Sequence, residues 1–228
     1  MINVLFYGDS NTWGFDPETG QRYPYPLRLT SVCARLLGPG YNCIPCGMNG
    51  RTTAFDDPVK GARNGIKGLD YELQTHKPLD LFAVMLGTND LKYTDAAGSA
   101  DGMDRLLELV LTANARFRFS SPVFPEPGVD AGPRPVLLIS PVRLRAHVGN
   151  RAGDLEASAG LAGLYRSLAE KHGVYFMDAA EYAEPSPADG IHLAAEGHRA
   201  IGEAVAETVR ILARTPRGRA DNGKERQT

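Results

Sequence analysis

The sequence predicts an α/β fold in which a parallel sheet carries helices on both faces. Three observations predict it. Short apolar runs bounded by Gly, Pro or Asn recur at about 2–7, 41–46, 79–86, 135–140 and 174–178, as expected of strands buried on both faces. Helical spacings separate them at about 26–37, 101–117, 153–172 and 194–213, with a weaker one over 65–75. No internal repeat and no change of composition divides the 228 residues, so a single domain over 1–213 is expected.

The first run, Ile2-Asn3-Val4-Leu5-Phe6-Tyr7, stops at Gly8-Asp9-Ser10. The second ends on Cys43-Ile44-Pro45-Cys46 and then Gly47, with no clear helix start. A redox pair needs a helix N-terminus to lower a thiol pKa, and a metal site needs a second pair. The cysteines therefore read as small buried residues at a strand end. The third run leads into Gly87-Thr88-Asn89-Asp90. Between the third and fourth, Ser120 to Pro135 holds five prolines and suits neither helix nor central strand. In the last helix Ala200, Ile201, Ala204, Val205, Thr208, Ile211 and Leu212 form an apolar stripe, with Glu203, Glu207 and Arg210 between.

Hydrophobic residues make up 43% and charged residues 23% of the chain, enough to bury a core. The formal net charge of -2 gives no field that would recruit nucleic acid. The tail from Arg214 to Thr228 carries five Lys/Arg against two Asp/Glu and reads as a flexible polar end. No run approaches the roughly 20 apolar residues of a membrane span. The N-terminus lacks a basic region before its apolar run, and three cysteines are an odd number for a disulfide framework. A cytoplasmic location is expected.

Ligands in open α/β sheets bind beyond the carboxyl ends of the strands. Ser10 follows the first strand, Gly47 to Thr53 the second, Gly87 to Asp90 the third, and Asp189 and His192 the fifth. All fall on one edge. A serine hydroxyl is a weak nucleophile and needs a base to take its proton. Of the five histidines, His76 and His172 precede strands at the opposite edge, and His198 reads as a surface residue of the last helix. His192 lies in a loop with Asp189 three residues earlier, a spacing that lets a carboxylate orient the ring. Asn89 can offer a side-chain amide to an oxyanion, Gly50 and Ser10 a backbone N–H each. Singly, each has a plainer reading: an Asp-Gly turn, a cap, a turn glycine. The order Ser, Asp, His occurs in α/β hydrolases, but Gly8-Asp9-Ser10-Asn11-Thr12 lacks the second glycine of a G-x-S-x-G elbow.

Taken together, these blocks make the chain resemble the SGNH (GDSL-type) hydrolase family. The resemblance rests on Gly8-Asp9-Ser10, on Gly50 within Gly47 to Thr53, on Gly87-Thr88-Asn89-Asp90 and on Asp189-Gly190-Ile191-His192. The flanks Thr12-Trp13-Gly14, Arg51-Thr52-Thr53 and Asp56-Asp57-Pro58 look like the bacterial aryl-esterase and acyltransferase branch. It implies a flavodoxin-like three-layer sandwich around a five-stranded parallel sheet. It also implies a Ser10/His192/Asp189 triad, an oxyanion hole from Ser10, Gly50 and Asn89, no metal and no cofactor. Small acyl or aryl esters are the implied substrates, with possible acyl transfer to other acceptors and assembly into a homo-oligomer. Thioester, lysophospholipid and sugar-acetate substrates would use the same residues. A nucleotide-binding module lacks its glycine-rich loop here, and a non-catalytic binding domain on the same scaffold is the remaining alternative.

Loops on the catalytic edge offer substrate contacts. Asn11, Trp13, Thr88, Val142 and Arg143 are the expected set, with Phe15, Tyr23 and Tyr25 as further aromatic walls. Arg145 and His147 share the loop of Arg143. Asp56, Asp57 and Asp90 read as solvated turns or local caps rather than a cation site.

Overall fold

The computed structural model describes residues 1–113 and 134–214. Of the tail read as flexible over 214–228, Arg214 ends the last helix and 215–228 lie outside the described residues, as does nearly all of the proline-rich stretch 120–135. Five strands form one sheet: β1 (Ile2–Gly8), β2 (Tyr41–Gly47), β3 (Leu81–Met85), β4 (Arg134–Ser140) and β5 (Val174–Asp178). Every pairing is parallel, in the order β2-β1-β3-β4-β5. The helices are α1 (Ser10–Trp13), α2 (Leu29–Leu37), α3 (Gly65–His76), α4 (Ala96–Leu111), α5 (Ala152–His172) and α6 (Ala195–Arg214).

Because side chains alternate along a strand, each strand feeds two cores. Leu5, Tyr7, Phe82, Val84, Val136 and Leu138 meet Leu69 and Leu73 of α3, Leu106 of α4 and Tyr165 of α5. On the other face Val4, Phe6, Leu81, Ala83, Leu137 and Ile139 meet Cys33 of α2 and Ile201, Val205 and Val209 of α6. This is the three-layer sandwich expected. Pro45 sits on the edge strand β2, and Pro135 sits where the β4–β5 register shifts between Arg134 and Leu137. Both places tolerate a missing N–H.

Three expectations change. The helix read over 26–37 breaks at Arg28, whose extended backbone separates a 3-10 turn at Tyr25–Leu27 from α2. The helix read from 101 begins at Ala96, because Asp95 caps it by accepting from Gly98 N–H. Cys43 and Cys46 are half-buried on opposite faces of β2, Cys43 toward the α2 core and Cys46 toward the α3 core. An offset of three reverses the face of a strand, so they form no local pair. Cys46 instead donates to Glu72 at 3.2 Å, and His76 Nε2 lies 3.3 Å from the same carboxylate. These three side chains bring possible ligand atoms within 4.8 Å of one another between β2 and α3.

His198 is the clearest correction. It is fully buried, edge-on to Tyr23 at 5.2 Å, and its Nδ1 accepts from Leu29 N–H at 3.4 Å. Its position three residues before Ile201 on the apolar stripe was the available signal. Burial holds its imidazole down at about 4. The unfolded chain takes up that proton near 6.5, so stability is lost as pH falls from about 6.5 to 4. Unfolding free energies from denaturant titrations across that window should drop by on the order of 3 kcal/mol for this group. His198→Gln should remove most of that slope.

Candidate active site

The parallel strands deliver their following loops to one edge, and there the ends of the chain meet. Asp9 caps α1 by accepting from Asn11 N–H at 2.9 Å, which places Ser10 in the first turn. Ser10 Oγ lies 2.9 Å from His192 Nε2, and His192 Nδ1 lies 2.5 Å from Asp189 Oδ2. Asp189 Oδ1 accepts from Ile191 N–H at 2.8 Å and His192 N–H at 2.9 Å. Burial pushes the Asp189 carboxyl up, but these bonds and the His192 ring outweigh it and bring it down to about 2. The carboxylate is thus ionised at neutral pH and holds the ring with Nε2 toward Ser10. Phe15 stacks on the His192 ring at 4.3 Å between centroids and braces it from the side.

The opposite wall comes from the loops after β2 and β3. Gly50 takes a left-handed backbone, φ 77°, which glycine adopts without strain. Asn89 Nδ2 donates to the Arg51 carbonyl at 3.2 Å, and its second N–H has only a long 3.5 Å contact to Asp9. Lys92 Nζ donates to Asn89 Oδ1 at 2.6 Å, which fixes which way that amide faces. Arg51 is buried, lies over the Tyr7 ring at 4.1 Å and bonds the carbonyls of Gly8 and Cys46. It locks the ends of β1 and β2 together. Asp90 corrects the solvated-turn reading: it is fully buried, accepts from Thr53 N–H and Oγ1, and burial raises it to about 7.

Ser10, Gly50, Thr88, Asn89 and His192 all line one cavity of about 480 Å³, with Phe15, Ile191 and Leu144 as its apolar walls. The other expected substrate contacts lie elsewhere. Asn11 is buried and binds the 191–193 segment, accepting from Leu193 N–H at 2.9 Å. Trp13 is half-buried and does not line the cavity; the Arg22 guanidinium lies over its ring, 4.8 Å from the ring centre. Val142 is buried in the α6-side core. Arg143 points to Asp178 at 3.5 Å, in a separate hollow of about 330 Å³. Tyr23 is buried against His198 and Tyr25 is exposed, so Phe15 is the aromatic residue of the group that reaches the cavity. Sequence reasoning missed Lys92, Arg63 and Asn150, which lie outside the motif blocks. Asn150 Nδ2 bonds the carbonyls of Arg145 and Asp189, tying the loop after β4 to the Asp189 turn.

A family model described as the GDSL-like lipase/acylhydrolase family matches residues 6–200. The chain belongs to that family. As a member this GDSL-like protein is a carboxylic ester hydrolase. Its fold is shared by a carbohydrate acetylesterase from Sinorhizobium meliloti, 36% identical, with a TM-score of 0.84 over 93% of this chain and 100% of that one. An aryl esterase from M. smegmatis is 34% identical, with a TM-score of 0.83 over the same shares. A second S. meliloti carbohydrate acetylesterase family member is 39% identical, with a TM-score of 0.81 over 93% of this chain and 99% of that one. No curated protein matches the chain. Among the described residues of this GDSL-like hydrolase, no helix is long and apolar enough to cross a membrane.

The site depends on α1 lying directly against the end of β2. A Cβ on Gly47 would sit 2.2 Å from Trp13 N and 2.6 Å from Thr12 C, both backbone atoms. Gly47→Ala should therefore displace α1. A loss of about 1–3 kcal/mol in chemical unfolding is expected, together with a fall in ester hydrolysis as Ser10 moves from His192.

Proposed function

We propose that residues 1–213 form a serine esterase domain for short-chain acyl or aryl esters, working through a Ser10 acyl-enzyme. The observation that carries this reading is the unbroken hydrogen-bond chain Asp189–His192–Ser10 opening into a cavity. His192 Nε2 takes the Ser10 proton as Oγ attacks the carbonyl carbon, and Asp189 stabilises the imidazolium that forms. The negative charge on the carbonyl oxygen is received by the N–H groups of Ser10 and Gly50 and by Asn89 Nδ2. His192 then protonates the leaving alcohol. Water, deprotonated by the same nitrogen, attacks the acyl-enzyme and frees Ser10.

An alcohol entering in place of that water would give acyl transfer, the finer part of this reading. The similarity to two carbohydrate acetylesterases favours sugar acetates as a second substrate class. Three free cysteines fit a reducing compartment, and the cytoplasm is the proposed location. A homo-oligomer is part of the same proposal.

Ser10→Ala should lower kcat by roughly 10⁴–10⁶ with an unchanged unfolding curve. A phosphonate ester should label the wild type once, at Ser10, and leave Ser10→Ala unlabelled by intact-mass measurement. Ester hydrolysis retained by pure Ser10→Ala would end the assignment. Asn89→Ala should cost about 10²–10³ in kcat, read on p-nitrophenyl acetate.

A further inference from the structure

The cavity beside Ser10 has a charge balance opposite to that of the chain. It is lined by Lys60, Arg63, Lys92 and Arg151 against one carboxylate, Asp154, while the whole protein carries a formal charge of -2. Two of these cations have partners. Arg151 Nε pairs with Asp154 at 3.1 Å, and Lys92 Nζ is bonded to Asn89 Oδ1. Lys60 and Arg63 form no ion pair among the described residues.

Arg63 is the sharper case. Its Nε is buried and has no hydrogen-bond partner among the described residues. The side chain packs beside the oxyanion wall, since a Cβ on Gly50 would lie 3.2 Å from that nitrogen. Thr88 Oγ1 and Asn49 Oδ1, on the same cavity, are likewise buried and unpartnered. A buried donor without an acceptor is costly, and Arg63 and Thr88, which carry two such donors, both line this cavity. The cations also crowd one another. Burial holds the Lys92 ammonium below its ordinary value, and the Lys60 and Arg63 charges add to that, while Asp9 and Asp57 oppose it. A like-charged cluster facing an apolar-walled cavity is relieved by an anion placed among its members.

We propose that the substrate of this site is an anionic ester, whose carboxylate or phosphate group rests against Arg63 and Lys60 while its acyl carbon faces Ser10. The inference rests on the serine-esterase reading and adds the charge of the substrate to it. Arg63 and Lys60 are then specificity residues. They recognise a group remote from the scissile bond and take no part in proton transfer.

The test measures kcat/KM on matched esters with the full chain, each divided by its rate with hydroxide alone. Para-acetoxybenzoate against para-acetoxybenzamide places the anion on the alcohol side, and para-acetoxyphenyl phosphate replaces the carboxylate by a phosphate. Monophenyl glutarate against phenyl valerate places the anion on the acyl side. At least one anionic ester should be preferred by on the order of tenfold to a hundredfold, the range of a charge-assisted hydrogen bond. That preference should shrink as ionic strength rises, and in Arg63→Gln and Lys60→Gln. Equal or better use of the neutral ester in every pair at low salt overturns the inference. So does a preference that neither salt nor the substitutions reduce. The salt series on wild type decides the matter even where a variant folds poorly. Failure to hydrolyse any ester overturns the esterase reading itself and this inference with it, so the two failures are told apart.

Discussion

The side chain of Asn11 accepts a hydrogen bond from Leu193 N–H at 2.9 Å and donates a longer one to the Ile191 carbonyl. These bonds join positions about 180 residues apart and pin the Asp189–His192 loop onto the start of α1. Everything chemical in the site depends on that closure. His192 comes within 2.9 Å of Ser10 because its loop is held at both neighbours, Ile191 and Leu193. The opposite contact is equally close: Gly47 leaves room for the backbone of Thr12 and Trp13 to rest on the end of β2. The first turn of α1 is therefore clamped between the second strand and the last loop, which fixes the serine in space.

Beneath that clamp lies a layer of buried charge. Asp9 and Asp90 are both buried, and burial raises both carboxyls. Asp9 caps α1 and contacts Asn89, while Asp90 holds Thr53. Arg51 and Lys92 supply the compensating positive charge on the Gly8 and Asn89 sides. Polar groups buried in this way are expensive unless paired, so the network accepts few alternative arrangements. It orients Asn89 through Arg51 and Lys92, and it orients Ser10 through Asp9.

Much of this was legible in the linear chain. Apolar runs marked all five strands: β1, β3 and β4 are largely buried on both faces and need no alternation, whereas the edge strand β2 is only half-buried. That Ser10, Gly50, Asn89, Asp189 and His192 gather at one edge was legible because a parallel sheet sends every following loop there. Less was legible in the loops themselves. Arg143 was an expected substrate contact and Lys92 was not singled out, yet Arg143 turns to Asp178 outside the cavity and Lys92 to Asn89 within it. His198 was misread for a related reason: its stripe position was visible, but the Tyr23 segment that covers it comes from 175 residues away.

By itself the sequence determined the alternation of strands and helices, the two buried faces of the sheet and the types of side chain gathered at one edge. These follow from local hydrophobic patterning and from the single handedness of parallel crossovers. Only the tertiary structure decided which side chains enter the cavity and which become scaffold. Asn11, Trp13 and Val142 stand near the chemistry in sequence but meet the loop clamp, the Arg22 guanidinium and the core, whereas Arg63 and Lys92 reach the cavity from outside the recognised blocks. The reason is physical: the direction of a loop side chain is set by hydrogen bonds and packing between distant segments, and no local pattern encodes those partners.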